Sequence, residues 1–155
     1  MGKAIQLIQT RGVFSEAHDV VETTQVKLWL ALGDMKAAKR WAAPRQERLS
    51  ADDRFGVDHE LAYITLARVW IAQHKFHEAI GLLAHLEETA RASRRMGRVI
   101  AILRLKALAL QAMGDSDYAL LALTACLTLA EPEGYGRIFL DEGQPMQKLL
   151  AQWLA

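Results

Sequence analysis

Five histidines, one cysteine and a few acidic clusters are the residues whose types could do chemistry. His74 and His77 stand three apart, a spacing at which two imidazoles on one turn can share a metal ion. Zinc-like ions need a fuller set, however. Glu78 is a sequence neighbour but poorly placed, and no Cys pair supports the site. The pair therefore reads as turn histidines, and no metal or cofactor is expected. His18, His59 and His85 stand apart. Cys126 falls at a core-facing helical position with no base identifiable near it, so it reads as a buried inert thiol rather than a nucleophile. Ser50-Ala51-Asp52-Asp53 reads as a helix cap or loop. Glu131, Glu133, Asp141 and Glu142 read as solvated helix ends, because nothing makes them converge as an acid–base pair. No acid, base, nucleophile or metal set emerges, and the chain is not expected to be an enzyme.

Basic residues are more informative. Arg91, Arg94, Arg95 and Arg98 lie within eight residues. They form a candidate patch for an anion or an acidic partner, set against the plainer reading of a solvated connection. The whole chain is close to neutral, with 19 Lys plus Arg against 18 Asp plus Glu. Domains that grip a nucleic-acid backbone usually carry a clear positive excess, so direct DNA binding is not expected. One cysteine excludes an internal disulfide and fits a reducing compartment. Charges interrupt every apolar run before it reaches the length of a membrane span, and the start lacks a signal-peptide core. A cytoplasmic protein with no membrane partner is the expectation.

These side chains must be positioned by helices. The 155 residues suit one domain, and 52% are hydrophobic, with Ala and Leu dominant. Apolar residues recur at three- and four-residue spacing, while alternating patterns never persist. Only three prolines and ten glycines leave little room for a turn-rich β fold. The spacing predicts helices near 3–10, 16–32, 35–44, 58–73, 76–91, 95–113 and 116–130, a short one near 135–142 and a last from 145. Gly33-Asp34 and Gly114-Asp115 each pair a helix-ending glycine with a good N-cap. The stretch from Pro44 to Gly56 reads as polar and irregular.

Three segments align without gaps: Val26–Ala38, Ala67–Ala79 and Ala107–Ala119. Ala31, Ala72 and Ala112 match, as do Ala38, Ala79 and Ala119. Trp29, Trp70 and Leu110 fill one large apolar position. Small residues let two helices approach closely at a crossing, and the large residue fills the space between neighbouring units. A lone hairpin cannot bury its apolar face, so such units must stack.

Small residue, large residue, Gly-Asp turn and alanine, in that order, resemble a tetratricopeptide repeat. His74 in place of glycine, Gln25 and Lys106 at usually apolar positions, and a period near 40 depart from the usual pattern. A closer resemblance covers nearly the whole chain. Its landmarks are Lys27–Trp41, Leu66–Gln73, Leu105–Gln111 and, most specific, Ala130-Glu-Pro-Glu-Gly-Tyr-Gly-Arg-Ile-Phe-Leu-Asp-Glu-Gly-Gln-Pro-Met146. Together these resemble the helical-repeat region of MalT-like, LuxR-type transcriptional regulators. The resemblance implies repeats that sense an inducer or partner, between an ATP-binding signalling module and a helix-turn-helix. The chain carries no phosphate-binding loop of the Gly-x-x-x-x-Gly-Lys-Ser/Thr type. Residues 3–10 read as the second half of a hairpin, which suggests a piece of a longer regulator.

In such repeats the first helices line the concave side. Mapping the family's groove positions gives Thr23 and Lys27, Ile64 and Arg68, and Arg104 and Leu108. Basic and hydroxyl groups on one wall would suit an anionic or hydroxyl-rich ligand or an acidic peptide, although Arg and Lys stems also cover apolar surface without a ligand. The sequence thus predicts an all-α, right-handed superhelix over 1–155, with hairpins at about 16–44, 58–91 and 95–130 and terminal helices at 135–155. Its expected role is effector sensing or protein interaction, the alternative being a scaffold that docks a partner protein without an effector. Expected partners are that effector or protein and the other modules of the regulator. Self-association is also expected, through apolar surface at the ends.

Overall fold

Long Ala- and Leu-rich windows favour helix, and in a computed structural model of the chain helix is what forms. The structure describes the backbone of residues 2–51, 59–133, 139 and 141–155, and the side chains of 17–49, 59–132, 139 and 141–155. Among these residues there are α-helices and no strand: α1 Gly2–Ala31, α2 Met35–Ala51, α3 Glu60–Ala72, α4 Phe76–Ala92, α5 Met96–Ala112, α6 Ser116–Ala130 and α7 Gln144–Leu154. A 3-10 turn, Glu131–Glu133, follows α6. No helix among the described residues is long and apolar enough to cross a membrane.

Four of the connections are the same tight turn. Gly33, His74, Arg94 and Gly114 hold positive φ angles of 76°, 62°, 56° and 88°. The amide after each donates back to the helix it leaves: Asp34 to Trp29 (2.8 Å), Lys75 to Trp70 (2.8 Å), Arg95 to Ala90 (2.9 Å) and Asp115 to Leu110 (3.0 Å). The positive-φ residue itself donates to Leu30, Ile71, Arg91 and Gln111 respectively. This double bond pattern is the Schellman helix stop, which satisfies carbonyls that would otherwise lack partners. Asp34 and Asp115 then cap the next helix, accepting from the amides of Ala37 (3.1 Å) and Tyr118 (3.4 Å). Lys75 and Arg95 occupy the same capping position and cannot accept.

The chain divides into two compact units, Met1–Val69 and Trp70–Ala155. In the first, α1 packs on α2, with Val26 and Ala38 fully buried and Ala42 nearly so. The Thr23 and Thr65 hydroxyls, 2.9 Å apart, tie α1 to α3. In the second, α5 packs against both α4 and α6, and α7 lies on α6 and α5. Leu83, Leu86, Ile100, Ile102, Leu105, Leu123, Met146 and Leu149 have almost no exposure. Each such side chain is worth roughly 1.5–3 kcal/mol by its burial, so this core dominates the unit's stability. Ala38, Ala79 and Ala119, the repeat's small residues, are all at 0% exposure.

Two expectations are corrected. The leading helix at 3–10 is not separate, because α1 runs unbroken from Gly2 to Ala31. Gly12 lies inside it, and a glycine in a helix interior costs only about 1 kcal/mol, too little to break the helix. The segment after Pro44 is not irregular as far as Ala51, because α2 continues through the proline. Arg45 anchors it there. Its guanidinium donates to the Trp41 carbonyl (2.8 Å), lies over the Trp41 ring at 4.0 Å and bonds Glu22 on α1 at 2.7 Å. Ser50–Asp53, read as a cap or loop, and most of the helix expected at 135–142 lie outside the described residues or side chains.

Candidate functional site

Of the residues assigned to the groove wall, Thr23, Lys27 and Arg68 belong to the first unit. Thr65 already donates to the Leu61 carbonyl at 2.8 Å, so the Thr23 hydroxyl is the donor in their shared bond. Its remaining capacity is to accept. One turn further along α1 and α3, Lys27 is exposed and Arg68 half-buried. Ile64 is buried at 5% exposure, so it is core rather than open wall. The fourth candidate, Arg104, is also buried, on α5 of the second unit. Its Nε lies 2.9 Å from Oε1 of Glu142, with both side chains 10% exposed or less. Arg104 is therefore engaged inside its own unit. Glu142, read from sequence as part of a solvated acidic end, is its partner.

The arginine patch spans the Schellman turn between α4 and α5. Arg91 sits in the last turn of α4, where the helix dipole favours a cation, and its Nε bonds Glu87 at 3.0 Å. Glu87 also accepts from Lys106 at 3.3 Å, which links α4 to α5. Arg94 is the exposed positive-φ residue of the turn, while Arg95 and Arg98 are half-buried. Arg95 and Arg98 stand at the positive end of α5, whose first turn holds no acidic residue. The field there is adverse to cations and adds to the attraction for an anion.

A cluster in the first unit was not foreseen. Glu22 accepts from Arg45 at 2.7 Å and from the Trp41 indole at 3.4 Å, and His18 lies 3.8 Å away one turn earlier. Around it is a cleft of about 240 Å³ lined by His18, Asp19, Glu22, Arg45, Arg48, His59, Ala62 and Tyr63. Ligand atoms of His18, Asp19 and Glu22 lie within 4.8 Å of one another. The Arg45 guanidinium already supplies the positive charge that a metal would bring to Glu22, which disfavours an ion there. His18–Glu22 and Trp41–Arg45 each have the i,i+4 spacing that sequence could have suggested. Their meeting, 23 residues apart at Arg45–Glu22, had no local signal.

The remaining candidates stand apart from these clusters. His74 holds the turn and meets Phe76 edge to face at 5.5 Å, and His77 is exposed. The Cys126 thiol is buried and donates to the Ile100 carbonyl at 3.3 Å. Burial pushes its pKa up to about 12, with Arg104 opposing the shift. No nucleophile is poised there.

A family model described as a MalT-like TPR region matches residues 1–155. Compared with curated proteins and with solved structures, the chain matches none.

Proposed function

Because the chain belongs to the MalT-like TPR family, we propose that it is the sensing and protein-interaction region of a LuxR-type transcriptional regulator. In this reading it binds an effector or a partner protein, and the bound state is relayed to ATP-binding and DNA-binding modules of the same regulator. Relay requires that the ligand bind the active and inactive states with different affinity. The family match over 1–155 is the observation that supports the reading. Thr23, Lys27 and Arg68 are the contact residues we propose in the first unit. Two long cationic side chains suit a carboxylate or a phosphate, and a hydroxyl left with accepting capacity suits a donor such as a sugar hydroxyl. Arg91, Arg94, Arg95 and Arg98 are proposed as a second contact, for an acidic partner or module.

A scaffold that docks a protein without any effector is the alternative. It is favoured by exposed apolar residues on α1 and in the turn after it: Val20, Val21, Leu28 and Leu32, at 55%, 67%, 51% and 73% exposure.

The test is Lys27→Glu with Arg68→Glu in the intact regulator, read by transcription from its target promoter. Impaired induction with unchanged helical circular dichroism supports the recognition role. Normal induction refutes it.

A further inference from the structure

The Glu22–Arg45 pair leaves two charges beside it unmatched. Asp19 comes three residues before Glu22 on α1, and Arg48 three residues after Arg45 on α2. Both therefore stand one turn further than the pair from the Gly33 turn that joins the two helices. A second ion pair is what that level of the hairpin invites, and it does not form. Among the described residues neither the Asp19 nor the Arg48 side chain has an ion-pair or hydrogen-bond partner, each other included. Instead both line the cleft of about 240 Å³, whose third wall comes from His59 and the first turn of α3.

Acceptors and donors fall on different walls of this cleft. On α1, Oε2 of Glu22 receives both the Arg45 guanidinium and the Trp41 indole. Oε1 keeps its accepting capacity, because His18 Nε2 stands 3.8 Å from it, beyond a hydrogen bond. Ligand atoms of Asp19 and Glu22 lie within 4.8 Å of each other. One ammonium can bridge oxygens so spaced, at about 2.8 Å to each. On α2, Arg48 is exposed, and its guanidinium offers the paired donors that a carboxylate accepts. Two carboxylates and two guanidiniums line the cleft, so their charges cancel. A purely anionic ligand would pair with Arg48 and meet Asp19 as a like charge, and a purely cationic one would do the reverse. A zwitterion pairs with both.

We propose that this cleft binds a free α-amino acid, with its ammonium on Asp19 and Oε1 of Glu22 and its carboxylate on Arg48. The volume lies below the roughly 300–1,000 Å³ of sites that hold drug-sized ligands, so a small metabolite is the class that fits. The inference rests on the cleft and not on the recognition role of Lys27 and Arg68. Binding is read on the chain itself, so its failure is distinct from failure of the transcriptional reading.

Titration of the full chain with each of the twenty standard L-amino acids, followed by amide shifts in NMR spectra, tests it. At least one should bind with a Kd below about 1 mM. The N-acetyl derivative of that amino acid lacks the ammonium, and its carboxamide lacks the carboxylate. Each should bind about tenfold more weakly or worse, because a charge-assisted bond is lost. Asp19→Asn should weaken the parent amino acid by a similar factor and leave the N-acetyl derivative within about twofold. Arg48→Gln should weaken the parent likewise and spare the carboxamide. Neither side chain is buried, so both variants should keep the helical circular-dichroism signal. If none of the twenty binds below about 1 mM, the proposal is overturned. An N-acetyl derivative as tight as its parent also overturns it, since the site then takes any anion, and a carboxamide as tight does so because the site then takes any cation. Binding that neither substitution changes places the amino acid elsewhere and overturns it as well.

Discussion

Arg94 sits in a backbone conformation made for glycine, and replacing it tests how these turns work. At a φ of 56° its β carbon crowds the following carbonyl, a strain of roughly 1–2 kcal/mol for an L-residue. Gly33 and Gly114 occupy the equivalent turns without that strain. Arg94→Gly removes it. The substitution also loosens the unfolded chain, which costs about 0.4–1 kcal/mol in the opposite direction. The balance is a gain of about 0.5–1 kcal/mol, or an increase in Tm of about 1–4 °C for a chain this size. Removing one of four clustered arginines could stabilise by itself, so Arg94→Ala is the control. It loses the charge and keeps the strained β carbon. Thermal unfolding followed by circular dichroism should therefore rank Arg94→Gly above Arg94→Ala, with Arg94→Ala close to the natural chain. Equal Tm values for the two variants would refute the backbone argument and assign any gain to charge. His74→Gly should gain less, because it also loses the edge-to-face contact with Phe76.

Other outcomes follow from the same structure. Ala119→Leu forces a larger side chain into a site at 0% exposure and should cost about 1–3 kcal/mol in urea unfolding. Cys126 should resist alkylation in the folded protein at pH 8, because a thiol with a pKa of about 12 is roughly one part in ten thousand thiolate there. That raised pKa also predicts alkaline sensitivity. Its contribution to stability is complete below pH 9.0 and is lost as pH rises from there toward about 12, because only the unfolded state gives up the proton readily. Cys126→Ala should lack this slope in alkaline unfolding curves. Glu22→Ala removes the acceptor of the Arg45 bond and should cost on the order of 1 kcal/mol, since that pair is only partly buried. An unchanged midpoint in urea would show that Trp41 alone holds Arg45.

Local signals carried most of the architecture. Gly-Asp at 33–34 and 114–115 marked two turns because it supplies both the positive φ and the cap. The turn at Arg94 has neither residue type, so only its place between two apolar periodic stretches betrayed it. Ala38, Ala79 and Ala119 were legible because crossing helices demand a small residue at a fixed distance from the turn. The proline at 44 misled, because side-chain anchoring by Arg45 outweighs a missing amide, and that anchor depends on Glu22 from another helix. The contacts of the charged groups were least legible. Repeat register places Arg104 on the groove wall. It cannot reveal that Glu142, far along the chain, returns to pair with it. Within the candidate site, Lys27 is exposed and Arg68 half-buried, while Thr23 spends its proton on Thr65.

The central claim is that these residues are the sensing region of a LuxR-type regulator. Its most direct test is the sequence of the full messenger RNA that carries these codons. The account predicts, in one reading frame, a Gly-x-x-x-x-Gly-Lys-Ser/Thr loop upstream of Met1 and a helix-turn-helix downstream of Ala155. A frame that encodes neither would contradict it.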